Sequence, residues 1–149
     1  METPTRQVTR RLHEEHQATL VLWTRVEAAL AAGKADAALM RSAAAALAGE
    51  IGRHFDFEES ELFPRLAAAG EGDIAELLRE EHAAIRAAAA RFVALPKETL
   101  TKEIQRLGLE LAERLASHVQ KEEMSLLPAL EDLLDEETDH ELAAAYAAA

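Results

Sequence analysis

An eleven-residue string that occurs twice, 64 residues apart, constrains this chain more than any other feature. Residues 54–64 read HFDFEESELFP and residues 118–128 read HVQKEEMSLLP, so that histidine, two glutamates, leucine and proline match in place. A shorter string also repeats, with LHEEH at residues 12–16 and LREEH at residues 78–82. The chain is therefore built from two copies of one unit, each with a lone histidine and a His-x-x-x-Glu pair.

The composition favours helices throughout. Alanine, leucine, glutamate and arginine dominate the 149 residues, and only 4% of the chain is aromatic. These residue types have high helix propensity and low strand propensity. The length suits one domain with a sizeable core, so we expect a single domain over residues 1–149.

Charge and residue usage exclude several classes of partner and site. The formal net charge of −12 argues against binding to nucleic acid or to an anionic membrane surface. The absence of cysteine excludes thiolate metal sites and disulfides. No segment approaches the roughly 20 apolar residues that span a bilayer. We therefore expect a soluble, cytoplasmic protein, for which the sequence names no protein partner.

Turn-forming residues divide the chain into four long helices and a short helical tail. Gly33 is predicted to end the first helix as its C′ residue, and Asp36 to begin the second helix as its N-cap. Asp73 with Glu76 forms a capping box, and Thr3-Pro4 suits the start of the first helix. The predicted helices are 4–32, 36–69, 73–95 and 99–134, with a tail over 136–149; residues 96–101 are expected to be partly loop, and Asp135 to Asp139 to interrupt the last helix. Such short connections predict an all-α, up-down-up-down antiparallel four-helix bundle made of two repeated helix pairs.

Each predicted helix carries one apolar stripe with steps of three and four residues. The stripes are interrupted at only one or two positions per helix, and those positions hold the repeated polar residues. We therefore predict that six polar side chains point into the core: His16, His54, Glu58, His82, His118 and Glu122.

These six side chains have the composition of a metal site. Histidine and glutamate four residues apart share one face of a helix, so both can reach the same cluster. Burying four imidazoles and two carboxylates without cations would be very unfavourable. Imidazole with carboxylate suits iron, manganese or zinc, and two nitrogens with carboxylate oxygen per metal suit non-haem iron best. The repeat predicts two metals, each bound by two histidines and bridged by Glu58 and Glu122.

Four further glutamates adjoin these residues in the sequence. Glu59 and Glu123 lie well round the helix from the predicted ligands, which favours a solvated position or a contact between helices over metal binding. Glu15 and Glu81 directly precede His16 and His82. A hydrogen bond to a ligand histidine is one possibility for them, but a solvated face is the preferred interpretation.

The remaining aromatic, proline and histidine residues that stand out in the sequence are not interpreted as metal ligands. Trp23, two turns from His16, is expected to pack in the core. Pro64 and Pro128 fall inside helices and should kink them just beyond the site. His13 and His140 have no counterpart in the repeat and are expected to lie on the surface.

With this order of residues the chain resembles the hemerythrin-like family, the HHE cation-binding domains, over roughly residues 8 to 134. The order is a histidine, then His-x-x-x-Glu followed by Glu-x-x-Leu-Phe-Pro, repeated once with Leu127 in the place of the phenylalanine. The resemblance implies that His16, His54, His82 and His118 are nitrogen ligands and that Glu58 and Glu122 are bridging carboxylates. It also implies a non-haem di-iron centre with an oxo or hydroxo bridge that binds dioxygen or related small molecules.

One departure from the oxygen-carrying members bears on the activity. Those proteins have two histidines four residues apart on the third helix, whereas His82 is flanked at this spacing by Leu78 and Arg86. One ligand fewer leaves two open coordination positions instead of one, which favours sensing, stress response, peroxide or nitric oxide chemistry, or iron handling, with a possible weak peroxidase or oxidase activity. Two alternatives remain open: an interaction module whose site holds zinc or no metal, and a reversible oxygen carrier.

Overall fold

The computed structural model describes residues 4–34 and 36–149, and within these ranges the chain forms five helices and no strand. The helices are α1, Gln7–Ala31; α2, residues 37–68; α3, Gly72–Ala94; α4, residues 102–133; and α5, Glu136–Ala148. Helices α2 and α4 are continuous but contain short π-helical segments, Leu47–Ile51 and Glu58–Leu62 in α2 and Glu122–Leu126 in α4.

The first four helices form a bundle in which each helix packs against two others. Helix α1 contacts α2 and α4, and α3 contacts the same two helices from the opposite side. Consecutive helices are joined by short connections, as in an up-down-up-down bundle. Helix α5 lies against α1. The predicted all-α bundle with a helical tail is therefore confirmed.

Some helix ends match the sequence interpretation, and others do not. Gly33 has a positive φ of 68°, and the Asp36 carboxylate accepts a hydrogen bond from the Leu39 N–H at 2.7 Å. Thr101 caps α4 through the Ile104 N–H, so residues 96–101, predicted to be partly loop, all precede α4, which begins at Lys102 instead of the predicted residue 99. The predicted capping box is wrong, because α3 already begins at Gly72 and places Asp73 inside its first turn.

The first turn of α1 is capped by side chains from the C-terminal part of the chain. The helix begins at Gln7, later than the predicted start at Thr3-Pro4, of which Thr3 lies outside the described residues. Asp139 accepts hydrogen bonds from the N–H groups of Gln7 and Val8, both at 2.9 Å. Glu131 accepts from Thr5 N and from Thr9 Oγ1. Asp139 itself lies within α5, which begins at Glu136. The predicted interruption over residues 135–139 is therefore limited to Asp135, and Leu134 before it is also outside the helices.

The hydrophobic core consists of two apolar clusters, one toward each end of the bundle. One cluster includes Trp23, Leu30 and Phe92, and the other includes Leu12 and Phe63. On each of the four helices the predicted inward-facing histidine comes between residues of the two clusters. The core position predicted for Trp23 is confirmed, and the polar residues form a layer between two apolar ones.

A π-helical segment precedes each internal proline. The Phe63 N–H bonds to the Glu58 carbonyl, and the Leu127 N–H bonds to the Glu122 carbonyl, five residues back in both cases. Proline lacks the N–H that would continue the α-helical ladder, and a π turn is one way to accommodate the change. The helices remain continuous at the positions where the sequence predicts a kink.

A test of this packing concerns Gly108, which is buried in α4. A Cβ atom there would overlap Leu30 Cδ1 and lie 3.5 Å from Phe92 Cε2. We expect Gly108→Leu to lower the free energy of unfolding by about 1–3 kcal/mol, because the core is overpacked. Urea denaturation measures this difference.

Gly49 provides the matched control, because a Cβ atom at this exposed helical position meets nothing within 4 Å. Gly49→Leu should be neutral or stabilising by up to about 1 kcal/mol, since leucine has the higher helix propensity. Equal effects of the two substitutions would contradict the described packing at Gly108.

Candidate metal centre

The structure brings the six predicted site residues together at the centre of the bundle. Each of the first four helices contributes one histidine, and α2 and α4 also contribute a glutamate. Glu58 and Glu122 are completely buried, and the most exposed of the six, His54, is only 6% exposed. Two groups that could each hold a metal ion share both glutamates: one adds His16 and His54, and the other adds His82 and His118.

Each buried glutamate directs one oxygen toward each pair of histidines. Glu58 Oε2 lies 3.0 Å from His54 Nε2, and Glu58 Oε1 lies 3.1 Å from His82 Nε2. Glu122 Oε1 lies 2.8 Å from His16 Nε2, and its Oε2 lies 3.0 Å from His118 Nε2. This is the arrangement that a carboxylate needs in order to bridge two cations.

Several polar atoms of this cluster lack ordinary partners. Glu58 Oε1 and Glu122 Oε2 are buried and have no hydrogen bond of acceptable geometry. The Nε2 atoms of His82 and His118 face each other at 3.0 Å. Buried polar atoms are normally satisfied, because leaving them unpaired costs about 1–3 kcal/mol each. Cations between these oxygens and nitrogens would satisfy them, so the residues present fit a metal pair.

The outer nitrogen of every cluster histidine faces a second glutamate. The His54 Nδ1 lies 2.9 Å from Glu15, and the His118 Nδ1 lies 2.8 Å from Glu81. The preferred interpretation of these two glutamates as solvated was therefore wrong. Glu59 and Glu123, the other two glutamates that adjoin predicted ligands, also contact outer nitrogens of cluster histidines. Glu59 lies 2.7 Å from His82 Nδ1, and Glu123 lies 2.6 Å from His16 Nδ1.

These four outer glutamates connect the helices in a closed ring. Glu15 on α1 meets the histidine of α2, Glu59 on α2 meets that of α3, Glu81 on α3 meets that of α4, and Glu123 on α4 meets that of α1. A carboxylate at Nδ1 fixes the ring orientation and leaves the Nε2 lone pair for a metal. The signal in the sequence was the repeat itself, because each outer glutamate directly adjoins a cluster residue and recurs in the second copy.

Each outer glutamate is in turn held by another side chain. Arg86 donates to Glu59, and Lys121 donates to Glu81. His13 Nδ1 lies 2.6 Å from Glu123, so this histidine, predicted to lie on the surface, is only partly exposed and contacts an outer glutamate. His140 is exposed, as predicted. Glu15 differs from the others because it accepts hydrogen bonds from both Arg11 and Tyr146.

In the metal-free protein, neighbouring carboxylates raise the pKa of three cluster histidines, His16, His54 and His82. Burial by itself lowers the pKa of His16, but hydrogen bonds with Glu122 and Glu123 outweigh it and raise the pKa to about 9. Burial also opposes protonation of His82, and Glu122 with Glu58 raises its pKa to about 9. Burial raises the pKa of Glu122, but the neighbouring His118 charge holds it well below its usual range. A metal ion must therefore displace protons from these histidines.

His82 differs from the other three cluster histidines in access. Phe55 stacks on His82 with a centroid distance of 3.8 Å, and Phe63 lies 5.2 Å from the same imidazole. A cavity of about 270 Å³ is lined by His16, His54 and His118, but not by His82. Small molecules can therefore approach these three histidines, whereas aromatic rings cover His82.

The raised histidine pKa values predict how the stability of the metal-free protein depends on pH. The pKa values of His16 and His82 rise from 6.5 to about 9 on folding, so the native state binds more protons than the unfolded state in this range. The contribution of these two histidines to the free energy of unfolding is fully present below pH 6.5 and is lost as the pH rises through about 9. Urea denaturation in the presence of a chelator should show this decrease, and a rise in stability over the same range would contradict it.

Comparisons with known proteins agree with this geometry. The family model described as Hemerythrin HHE cation binding domain matches residues 7–130, and it matches a second time over residues 73–146. Neither a curated protein nor a solved structure gave a significant match. Among the described residues, no helix has the length and apolar character needed to cross a membrane. Because the first match covers most of the chain, this protein belongs to the hemerythrin HHE cation-binding domain family.

Proposed function

We propose that the protein is a non-haem di-iron protein that reacts with dioxygen, peroxide or nitric oxide. Its iron ligands are His16, His54, Glu58, His82, His118 and Glu122, and an oxo or hydroxo group completes the bridge between the irons. The observation that carries this proposal is the pair of buried glutamates, each with one oxygen toward each pair of histidines.

The donor set supports iron. Two imidazole nitrogens with carboxylate oxygens per metal, and further positions left open, suit non-haem iron. When bound, such a pair supplies redox chemistry and exchangeable positions for a small ligand. The four outer glutamates hold the four imidazoles with their Nε2 atoms toward the centre of the cluster. The cavity beside His16 and His54 admits small molecules.

The residues four positions from His82 in the sequence support a site with open coordination positions. Leu78 is buried in an apolar cluster, away from the polar layer. Arg86 pairs with Glu59 and Asp56 at the surface. Neither residue four positions from His82 replaces the missing histidine, so two coordination positions stay open to solvent or a small ligand. Such a site favours sensing, stress response or iron handling over reversible oxygen carriage.

Iron content tests the ligand assignment. Protein expressed in iron-rich medium should contain close to two irons per chain, and His118→Ala should lower this content and destabilise the fold, because it removes a nitrogen ligand and leaves buried carboxylates unpaired. His140→Ala is the matched control, since this histidine is exposed. Less than one iron per chain, with no effect of His118→Ala, would contradict the assignment.

Spectroscopy and oxygen uptake distinguish the proposed activity from its alternatives. After aerobic iron loading, an oxo-bridged diferric centre should give near-ultraviolet charge-transfer bands, which zinc cannot give. Reduced protein mixed with oxygen in a stopped-flow instrument should convert directly to this diferric form, because water reaches the open positions. A colourless loaded protein would favour the interaction module, and oxygen uptake that reverses when oxygen is removed would favour a carrier.

A further inference from the structure

Tyr146 connects α5 to the buried cluster through an unbroken path of hydrogen bonds. It is the one tyrosine of the chain, and its buried ring stacks on Phe57 with a centroid distance of 4.3 Å. Its hydroxyl donates to Glu15 Oε1 at 2.5 Å. The same oxygen lies 2.9 Å from His54 Nδ1, so one carboxylate joins the phenol to a cluster imidazole.

This path ends at a histidine that lines the cavity. Glu15 and His54 both line the 270 Å³ cavity, and so do Arg11 and Arg53, whose guanidinium groups lie 5.2 and 4.9 Å from the centre of the Tyr146 ring. Two other outer glutamates, Glu59 and Glu81, are held by Arg86 and Lys121 instead. Those two groups cannot give up an electron readily, whereas a phenol can.

Few side chains of this protein are easily oxidised by one electron. The chain has no cysteine, one tryptophan and one tyrosine. Trp23 is buried in an apolar cluster, and its Nε1–H has no hydrogen-bond partner. Loss of an electron from Trp23 would therefore leave a positive charge in apolar surroundings with no acceptor for the proton. Tyr146 has such an acceptor in Glu15.

We infer that Tyr146 is a redox-active residue that reduces oxygen-centred radicals formed from peroxide in the cavity beside His16 and His54. The phenolic O–H bond breaks; the electron goes to the oxygen radical and the proton goes to Glu15. The radical takes the electron with one proton from solvent and becomes water or an alcohol. Tyr146 is left as a neutral phenoxyl radical. The inference rests on the proposed function in one respect, that ferrous iron at this site would supply the electron that cleaves the O–O bond of peroxide into an oxygen radical and hydroxide.

The surroundings of the ring favour joint loss of the electron and the proton. Burial raises the pKa of Tyr146 well above its ordinary value, and the hydrogen bond to Glu15 adds to this effect, so the hydroxyl is protonated before oxidation. A phenol that has lost an electron is a strong acid, and the Glu15 carboxylate is already in place to receive its proton. The two nearby guanidinium groups disfavour a positively charged ring, and burial under Phe57 separates the radical from other molecules.

The experiment uses the full chain, freed of metal by a chelator, with photogenerated ruthenium(III) tris-bipyridine as the one-electron oxidant. Flash photolysis and electron paramagnetic resonance should detect a phenoxyl radical in the unaltered protein. Tyr146→Phe, which retains the stacked ring, should abolish this signal completely. Glu15→Gln retains the tyrosine but lacks the proton acceptor, and should lower the yield about tenfold, the equivalent of one charge-assisted hydrogen bond.

Glu14→Gln is the matched control, because Glu14 is the exposed neighbour of Glu15, and it should leave the radical yield unchanged. Thermal denaturation establishes that each variant is folded. An equal yield in Glu15→Gln and the unaltered protein, or a radical confined to Trp23, would overturn the inference.

A second measurement treats iron-loaded protein with peroxide and determines oxidised residues by mass spectrometry. Tyr146→Phe should accumulate more oxidised methionine and histidine than the unaltered protein, and equal damage would overturn the protective role. The two proposals fail separately. Protein that binds no iron but forms the phenoxyl radical contradicts only the di-iron assignment, whereas normal diferric bands without any phenoxyl radical contradict only the role of Tyr146.

Discussion

The burial of Glu58 and Glu122 is the constraint on which the rest of this structure depends. Two carboxylates without solvent exposure, between two apolar clusters, would be strongly destabilising alone. Four imidazoles surround them, and each imidazole needs a partner for its outer nitrogen, which the four outer glutamates provide. Breaking a buried pair of this kind typically costs about 3–5 kcal/mol. The packing of the helices and the geometry of the polar cluster therefore depend on each other.

The parts of the site that the sequence predicted are those that depend on one helix at a time. The position of His54 and Glu58 on an apolar stripe follows from the α-helical period alone. Likewise, Gly33 and Asp36 mark a turn through their own backbone and side-chain preferences. The two-fold repeat then implied that the inward-facing residues of both halves meet in one cluster.

The parts that escaped prediction depend on how neighbouring helices are rotated against each other. Glu15 and Glu81 lie beside the apolar stripe, where a residue on a single helix is indistinguishable from a solvated one. Only the packing of α1 on α2 and of α3 on α4 shows that they meet His54 and His118. Tyr146 was missed for the same reason, because the contact of α5 with α1 leaves no pattern within residues 136–149.

The capping of α1 by residues near the other end of the chain has a consequence for the order of biosynthesis. The N–H groups of Gln7 and Val8 find their acceptor in Asp139, and Thr5 finds its own in Glu131. During synthesis these acceptors appear 126 to 132 residues after the groups that they cap, so the end of α1 is satisfied only after α5 has been made. Tyr146 reaches Glu15 at the same late stage. The environment of His54 is therefore complete only once α5 has been synthesised and has packed against α1.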